Sequence, residues 1–242
     1  MRLIERIWFE GHSAKWFVVP LLFPLTVLFY VITAFRRWCY KVGLKRSFSV
    51  TKPVIIVGNI GVGGNGKTPL TLFLIEQLQH QGINVGVVSR GYGGNAPYYP
   101  YILSDESTAK EAGDEPLLIY RRTGVKVVVG PDRVAAAKRL IEQGCDLVLA
   151  DDGLQHLRLA RDYEIVVVDG KRMFGNQLLL PSGPLRESTD RLSEVDCVVV
   201  NGQLQGSLSA NFQQMTLAAR HVVNIATGKK LTIGDFIEQY PQ

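Results

Sequence analysis

The segment GVGGNGKT, residues 61–68, constrains the fold more than any other stretch of the chain. It matches the pattern G-x-x-x-x-G-K-[ST], in which successive backbone N–H groups converge on a phosphate chain that larger side chains would obstruct. The apolar run VIIVG precedes it, and leucines at four-residue spacing follow it. A strand, a glycine-rich turn and a helix in this order predict a phosphate-binding loop, with the helix N-terminus directed at the anion.

This loop predicts a nucleoside triphosphate and Mg²⁺ as ligands. Lys67 would place a cation on the β- and γ-phosphates, and the Thr68 hydroxyl would bind Mg²⁺. The expected nucleotide-binding residues are Gly61, Val62, Gly63, Gly64, Asn65, Gly66, Lys67 and Thr68.

Short apolar runs alternate with helical patterns from residue 53 onward. The runs lack polar alternation, which favours strands buried on both faces, as in a parallel sheet. We therefore predict an α/β fold of the P-loop NTPase type, with a doubly wound, mostly parallel sheet. The predicted strands are residues 54–58, 84–89, 125–129, 146–150, 164–168 and 196–200, and the predicted helices are near 67–81, 113–122 and 132–143.

A second site is expected where an apolar strand ends in aspartate, because P-loop domains hold Mg²⁺ with such a residue. The run LVLADD provides Asp151 as the metal ligand and Asp152 beside it, and Gln155 and His156 follow within a turn. A simple turn cap is the alternative for the acid pair. Asp169, which ends the run IVVVD, is a weaker rival because no second acid or histidine follows it.

Three further motifs carry candidate site residues. AGDEP contains Asp114 and Glu115, which the first turn of a helix would also favour without any catalytic role. SRGYGG follows a predicted strand end, where ligands bind in open α/β sheets. PSGPLRES holds Arg186, which would neutralise charge on a transferring phosphoryl group or, alternatively, be a solvated surface charge.

The N-terminal part of the chain indicates membrane association. Residues 16–35 are uncharged, about the length that crosses a bilayer core as a helix, and RRWCYKVGLKR follows with five cations. This positive flank places residues 36 onward on the cytoplasmic side. A spanning helix, a helix lying in the interface and a long helix buried on the domain are all open on this pattern.

The positive charge is concentrated in the same segment. Residues 1–52 carry nine Lys/Arg and two acids, whereas the other 190 residues carry 18 Lys/Arg and 20 acids. The folded domain is therefore not basic, which argues against nucleic-acid binding. Three cysteines outside any metal-binding spacing are expected to be reduced, buried thiols.

Taken together, the motifs resemble one family. GGNGKTP, SRGYGG, AGDEP, DDGLQH, DGKRMFGN and GPLRE occur in the order typical of tetraacyldisaccharide 4′-kinase, from near the start of the chain to about residue 227. The resemblance implies transfer of the ATP γ-phosphate to the 4′-hydroxyl of a tetraacylated glucosamine disaccharide, at the cytoplasmic face of the bacterial inner membrane. It implies ATP and Mg²⁺ as cofactors and the acylated disaccharide and membrane lipids as partners, and indicates neither nucleic acid nor a protein partner.

The resemblance also assigns roles that the spacing leaves open. Asp114 matches the aspartate taken as the catalytic base of the family, and Arg186 matches an arginine near the phosphates. The expected catalytic residues are Lys67, Asp114, Asp152, His156 and Arg186. The expected magnesium ligands are Thr68, Glu115, Asp151 and Gln155.

Members of the family continue beyond this length with a smaller domain that closes over the nucleotide and supplies a histidine to the base. We expect this chain to stop before that region, and His221 lies outside the matching motif. The predicted parts are a membrane-anchoring segment at 1–52, a P-loop kinase domain at 53–227 and the start of a truncated C-terminal region at 228–242. A membrane-recruited ATPase or switch without a lipid acceptor, and an inactive nucleotide-binding form, are the alternatives.

Overall fold

The computed structural model describes residues 3–208, 210–219, 221–224 and 226–240. An eight-stranded sheet forms its centre, and two further strands pair with each other outside it. The sheet contains β1 (Val54–Gly58), β2 (Val85–Ser89), β3 (Tyr101–Ile102), β4 (Lys126–Val129), β5 (Leu147–Asp151), β6 (Tyr163–Asp169), β7 (Cys197–Asn201) and β8 (Gln213–Met215), and the separate pair is β9 (His221–Val223) and β10 (Lys230–Thr232).

Seven α-helices and one short 3₁₀-helix lie within the described residues. The sequence patterns predicted α2, α3, α5 and α6, and they missed the short α1 and α4 because these have too few turns to show a period. The helices are α1 (Leu3–Phe9), α2 (Lys15–Lys41), α3 (Lys67–His80), α4 (Ala109–Ala112), α5 (Asp114–Thr123), α6 (Arg133–Glu142) and α7 (Ile233–Gln239), with the 3₁₀-helix at Thr189–Ser193.

The sheet has the order β3-β4-β2-β5-β1-β6-β7-β8, and only the two-residue β3 runs antiparallel to its neighbour. This confirms the predicted doubly wound, mostly parallel sheet and all six predicted strands. β1 lies between β5 and β6, and Val57 pairs in register with Asp151. The turn after β1 and the carboxylates after β5 therefore meet at the same edge of the sheet, where open α/β sheets bind ligands.

Apolar side chains cover both faces of the sheet. On one face Val134 and Leu140 of α6 pack against the strands, and on the other face Ile75 of α3 and Ile119 of α5 do so. Strands buried on both faces explain why their sequences are continuous apolar runs without alternation. This rigid layer holds the loops at the carboxyl edge.

Most of helix α2 lies outside the core. It is the only described helix that is long and apolar enough to cross a membrane, and only 6% of its most apolar stretch is buried. Thr26 and Cys39 are its only buried residues. The alternative of a buried core helix is therefore wrong.

The predicted division of the chain into three parts, with boundaries after residues 52 and 227, stays a prediction.

One stripe of α2 docks on the domain. Thr26 Oγ1 donates to Ser182 Oγ at 2.8 Å and accepts from the Ser182 backbone N–H at 3.0 Å. Farther along the helix, Arg37 forms ion pairs with Glu187 and Glu194. The remaining circumference exposes large apolar side chains: Trp16, Phe17, Leu21, Phe23, Leu25, Val27, Leu28, Tyr30, Val31, Ile32, Phe35 and Trp38.

Candidate active site

The glycine-rich turn after β1 has the backbone shape that its glycines allow. Gly66, at the N-cap of α3, is left-handed with φ of 93°, and Gly63 has φ of 106°. A Cβ at position 66 would lie 2.6 Å from the Asn201 side-chain nitrogen, so a larger residue would displace Asn201 in addition to straining the backbone. The α3 N-terminus that follows directs unpaired N–H groups toward an anion.

Side chains at the ends of β6 and β7 hold this loop from outside. Arg172 donates to the Gly64 carbonyl at 2.8 Å, and Asn201 donates to the Asn65 carbonyl at 3.3 Å. The guanidinium of Arg172 also pairs with Asp169 at 2.9 Å. The Asp169 carboxylate is therefore occupied within its own turn, which leaves Asp151 as the metal candidate.

Asp151 lies behind the loop and is almost completely buried, at 1% exposure. Burial, together with the charge of Glu115, raises its pKa to about 6. Its Oδ1 accepts a long 3.5 Å hydrogen bond from Thr71 on the second turn of α3, and its Oδ2 is buried without a partner. An unpaired acceptor at this position is suited to a cation or to water bound by one.

Asp152 faces the cavity and is surrounded by cations. Lys67 lies 3.5 Å from its carboxylate and Arg186 lies 3.3 Å from it. Burial alone would raise the pKa of Asp152, but Lys67 and Arg186 together hold it below the usual value. Arg133, buried at the start of α6, donates to the Asp152 carbonyl at 2.7 Å. The carboxylate is therefore ionised and keeps Lys67 in place.

The AGDEP motif forms the first turn of α5, which brings Asp114 and Glu115 to the same cavity. Gly113 before them has φ of 87°, and a Cβ on it would lie 2.6 Å from the Tyr92 carbonyl oxygen. The equivalent atom on Gly94 would lie 2.5 Å from the Glu111 carbonyl oxygen. The glycines of SRGYGG and AGDEP therefore allow the two loops to pack backbone against backbone. This packing positions Asp114 and Glu115 at the cavity.

Gln155 and His156 are held within the turn after β5. Gln155 donates through Nε2 to Glu187 at 2.7 Å and to the Asn59 carbonyl at 3.1 Å. His156 Nε2 is buried without a partner, and burial with the nearby charge of Arg133 lowers the His156 pKa to about 4. The imidazole is neutral at physiological pH.

Most of the residues predicted from the sequence line one cavity of about 760 Å³. Gly64, Gly66, Thr68 and Asp151 lie outside its lining, and Gly61, Val62 and Asn65 border a smaller cleft on the β6 side of the loop. The predicted residues in the cavity wall are Gly63, Lys67, Asp114, Glu115, Asp152, Gln155, His156 and Arg186.

Four further charged or aromatic residues of the wall received no individual role from the sequence. Arg36 comes from α2, Arg90 and Tyr92 from the SRGYGG loop, and Arg133 from the start of α6. Arg90, Tyr92 and Arg133 could have been identified as candidates from the sequence, because each follows the carboxyl end of a predicted strand. Arg36 could not have been found in this way, because only the docking of α2 brings it to the cavity.

The donor set fits a magnesium ion. Carboxylate, hydroxyl and amide oxygens are the ligands that Mg²⁺ prefers, and the buried Oδ2 of Asp151 lacks a partner. No cluster of three or more His, Cys, Asp or Glu ligands forms within the described ranges. Magnesium in such sites takes one or two protein ligands and the remainder from water and phosphate, so a complete protein cage is not needed.

Comparison with known proteins agrees with this geometry. The family model of tetraacyldisaccharide-1-P 4′-kinase matches residues 18–236. The tetraacyldisaccharide 4′-kinase of Colwellia psychrerythraea is 57% identical over 98% of this chain and 70% of its own length. That of Vibrio parahaemolyticus is 48% identical over 96% of this chain and 69% of its own length.

A solved structure is similar as well. LpxK from Aquifex aeolicus, crystallised in complex with ATP, is 29% identical and superposes with a TM-score of 0.71. The match covers 81% of this chain and 64% of the chain in that structure. The chain therefore belongs to the tetraacyldisaccharide 4′-kinase family, the ATP-dependent P-loop kinases of lipid A biosynthesis.

Proposed function

We propose that this chain provides the catalytic domain that transfers the γ-phosphate of ATP to the 4′-hydroxyl of a tetraacylated glucosamine disaccharide. The observation that carries the proposal is the meeting of three elements in one cavity: the phosphate-binding loop, the carboxylates after β5 and the acids that begin α5. ATP bound by LpxK from Aquifex aeolicus supports the choice of nucleotide.

The loop and its lysine would bind the triphosphate. Backbone N–H groups from Gly61 to Thr68 surround the β-phosphate, and Lys67, released from Asp152 by the more highly charged phosphates, follows the γ-phosphate. Thr68 and Asp151 would hold Mg²⁺, and Glu115 and Gln155, which line the catalytic cavity, would bind the ion or its water. The bound ion would supply neutralisation of charge on the phosphate oxygens.

The remaining groups would act on the acceptor. Asp114 would accept the proton of the sugar hydroxyl, because it lines the same cavity as Lys67 at the start of α5. Arg186 would neutralise charge that develops on the transferring phosphoryl group. Asp152 would hold both cations in position, and neutral His156 would orient the acceptor as a hydrogen-bonding group.

The place of action that we propose is the cytoplasmic face of the inner membrane, with α2 lying in the interface. α2 contacts the domain from Val19, which accepts from Ser182, to Arg37, which pairs with Glu187. These contacts extend over about 27 Å at the rise of an α-helix. A spanning position would carry Glu187 toward the hydrocarbon, which costs several kcal/mol or more, so the interfacial arrangement is favoured.

The test is phosphate transfer by the full-length protein from γ-labelled ATP, in the presence of Mg²⁺, to the acylated disaccharide presented in mixed micelles. We expect labelled lipid from wild type and at least a 100-fold loss in Asp114→Asn, as is typical for removal of a general base. Asp105→Asn is the matched control, because Asp105 lies outside the cavity and binds only the Tyr120 hydroxyl.

The outcomes distinguish the alternatives. ATP hydrolysis that proceeds equally without the lipid acceptor would favour the ATPase or switch. ATP binding with neither hydrolysis nor labelled lipid would favour the inactive form. Equal activity of Asp114→Asn and Asp105→Asn would remove the role that we assign to the base.

A further inference from the structure

One group of ion pairs reaches from α2 to the edge of the catalytic cavity. Arg37 lies 3.4 Å from Glu187 through one terminal nitrogen and 2.5 Å from Glu194 through the other. The Glu187 side chain is 9% exposed, whereas that of Glu194 is 52% exposed. Arg191 contacts both acids from the other side, at 3.4 Å. Glu187 and Glu194 therefore pair with the same two arginines, but the Glu187 side chain is largely buried and the Glu194 side chain is exposed.

Glu187 also determines how an active-site amide is oriented. Gln155 Nε2 donates both to Glu187 Oε1 and to the Asn59 carbonyl. Since a carboxylate and a carbonyl can only accept, the nitrogen must face them and the amide oxygen must face the opposite way. That oxygen lies 3.5 Å from Arg186, which in turn contacts Asp152 at 3.3 Å.

We infer that Glu187 is a positioning residue, which orients the Gln155 amide so that its oxygen faces Arg186. Through its ion pair with Arg37, Glu187 also links the orientation of Gln155 to the docking of α2 on the domain. The inference rests on the proposed function, in which Arg186 and Asp152 act during transfer. When Arg37 leaves, Glu187 keeps Arg191 but loses one of the two cations that hold its side chain. The hold on Gln155 then weakens, so the position of the membrane helix affects the rate of transfer.

The experiment compares Glu187→Gln with Glu194→Gln, which remove the same charge from the same pair of arginines. A glutamine at 187 can donate as well as accept, so only the Asn59 carbonyl would still require the Gln155 nitrogen to face this side, and the constraint on the amide is weakened. We expect kcat to fall about ten-fold or more in Glu187→Gln with KM for ATP changed less than about three-fold, and Glu194→Gln to stay within about two-fold.

Arg37→Ala provides a second variant that keeps Glu187. We expect a loss in kcat of about three-fold, and a double variant with Glu187→Gln that is no slower than Glu187→Gln alone, because both act through the same contact. If Glu187→Gln does not fold, Arg37→Ala decides the matter, since its side chain is 38% exposed and its removal leaves the core intact.

A spectroscopic readout separates this inference from the proposed function. The side-chain amide resonances of Gln155 should shift in Glu187→Gln and in Arg37→Ala but not in Glu194→Gln, whether or not lipid is phosphorylated. Unchanged resonances in the first two, or equal losses of kcat in the two glutamate variants, would overturn the positioning role. Absence of lipid phosphorylation by wild type would instead refute the kinase activity.

Discussion

At the scale of single residues, the site depends on a few charges whose surroundings differ sharply. Asp151 and Asp152 are adjacent in sequence, yet one is buried with a raised pKa and the other is paired with Lys67 and Arg186 and has a lowered pKa. The motif alone could not separate their roles, because the difference comes from burial and from cations on other elements.

The loop lysine gives the first prediction. Lys67→Ala should lower phosphate transfer by about 1,000-fold, because no other described cation on the loop can follow the γ-phosphate. The folded state should remain, since the lysine is at the helix start and outside the core. Transfer assays with melting curves measure both effects, and Lys138→Ala, an exposed lysine on α6, is the control. Normal turnover in Lys67→Ala would remove the P-loop assignment.

Asp151 gives a prediction about stability and pH. Its pKa is raised from 3.8 to about 6, so the folded protein keeps this proton up to about pH 6 while the unfolded chain has already released it. Stability without Mg²⁺ therefore falls as pH rises between these values and remains lower above them. Asp151→Asn has no such charge and should be more stable at pH 7.5 by roughly 1–3 kcal/mol, although inactive.

Thermal melting of both proteins at pH 4.5 and 7.5 without Mg²⁺ measures this effect. The advantage of Asp151→Asn should be largest at pH 7.5 and shrink at pH 4.5, where the wild-type carboxyl is protonated in the folded state. A variant that melts at a lower temperature than wild type at pH 7.5 would contradict the burial argument.

At the scale of elements, the strands and long helices were predictable and the short ones were not. β1, β5 and α3 lie in patterns of five residues or more, and the flanking turn residues together with the run length indicate which element each one forms. β3 and α4 are two and four residues long, too short for any period to appear. β3 forms by pairing with β4, and α4 leads directly into Gly113, where the AGDEP turn packs against the backbone of the SRGYGG loop.

That loop packing gives a prediction for Gly113. An added Cβ would lie 2.6 Å from the Tyr92 carbonyl oxygen, and φ of 87° is unfavourable for alanine. Gly113→Ala should therefore displace Asp114 and lower kcat at least ten-fold with little change in ATP binding. Gly124→Ala is the control for strain alone, because that glycine has φ of 67° with open space around it. Equal effects of both on kcat would contradict the packing role.

The exposed face of α2 gives a prediction about membrane binding. Leu28 is 54% exposed on this helix, and Leu118 is 46% exposed on α5. Leu28→Asp should lower binding to phospholipid vesicles by about ten-fold or more, because a charge enters the apolar interface, whereas Leu118→Asp should not. Vesicle flotation measures the bound fraction. Equal binding of both variants would show that α2 does not insert.

At the scale of the whole molecule, charge and apolar surface lie on the same segment. The nine cations within residues 1–52 flank or belong to the exposed helix, whereas the α/β domain has a slight acidic excess. The basic flank and the exposed apolar face of α2 would both favour binding to the surface of an anionic bilayer. The acceptor that the family name implies is itself a lipid, so membrane binding through α2, as we propose, would bring the cavity close to this substrate.

This charge distribution predicts a salt-dependent membrane affinity. Neutralising Lys45 and Arg46 together should weaken binding to anionic vesicles by roughly ten-fold or more and reduce the salt dependence, because each cation near such a surface contributes about 1 kcal/mol. Binding to neutral vesicles should change little. An equal loss on both vesicle types would mean that the pair acts through structure.

The sequence by itself determined the phosphate-binding loop, the six main strands and the aspartate pair after β5. These follow from local requirements, since a backbone close to phosphate needs glycine and a strand buried on both faces needs an apolar run. The tertiary structure added a reason to prefer Asp151 over Asp169 as the proposed metal ligand, because Asp169 is paired with Arg172. It alone brought Arg36 to the cavity and linked Glu187 to Gln155. Such contacts join residues far apart in the chain, where no local pattern records which side chains will meet.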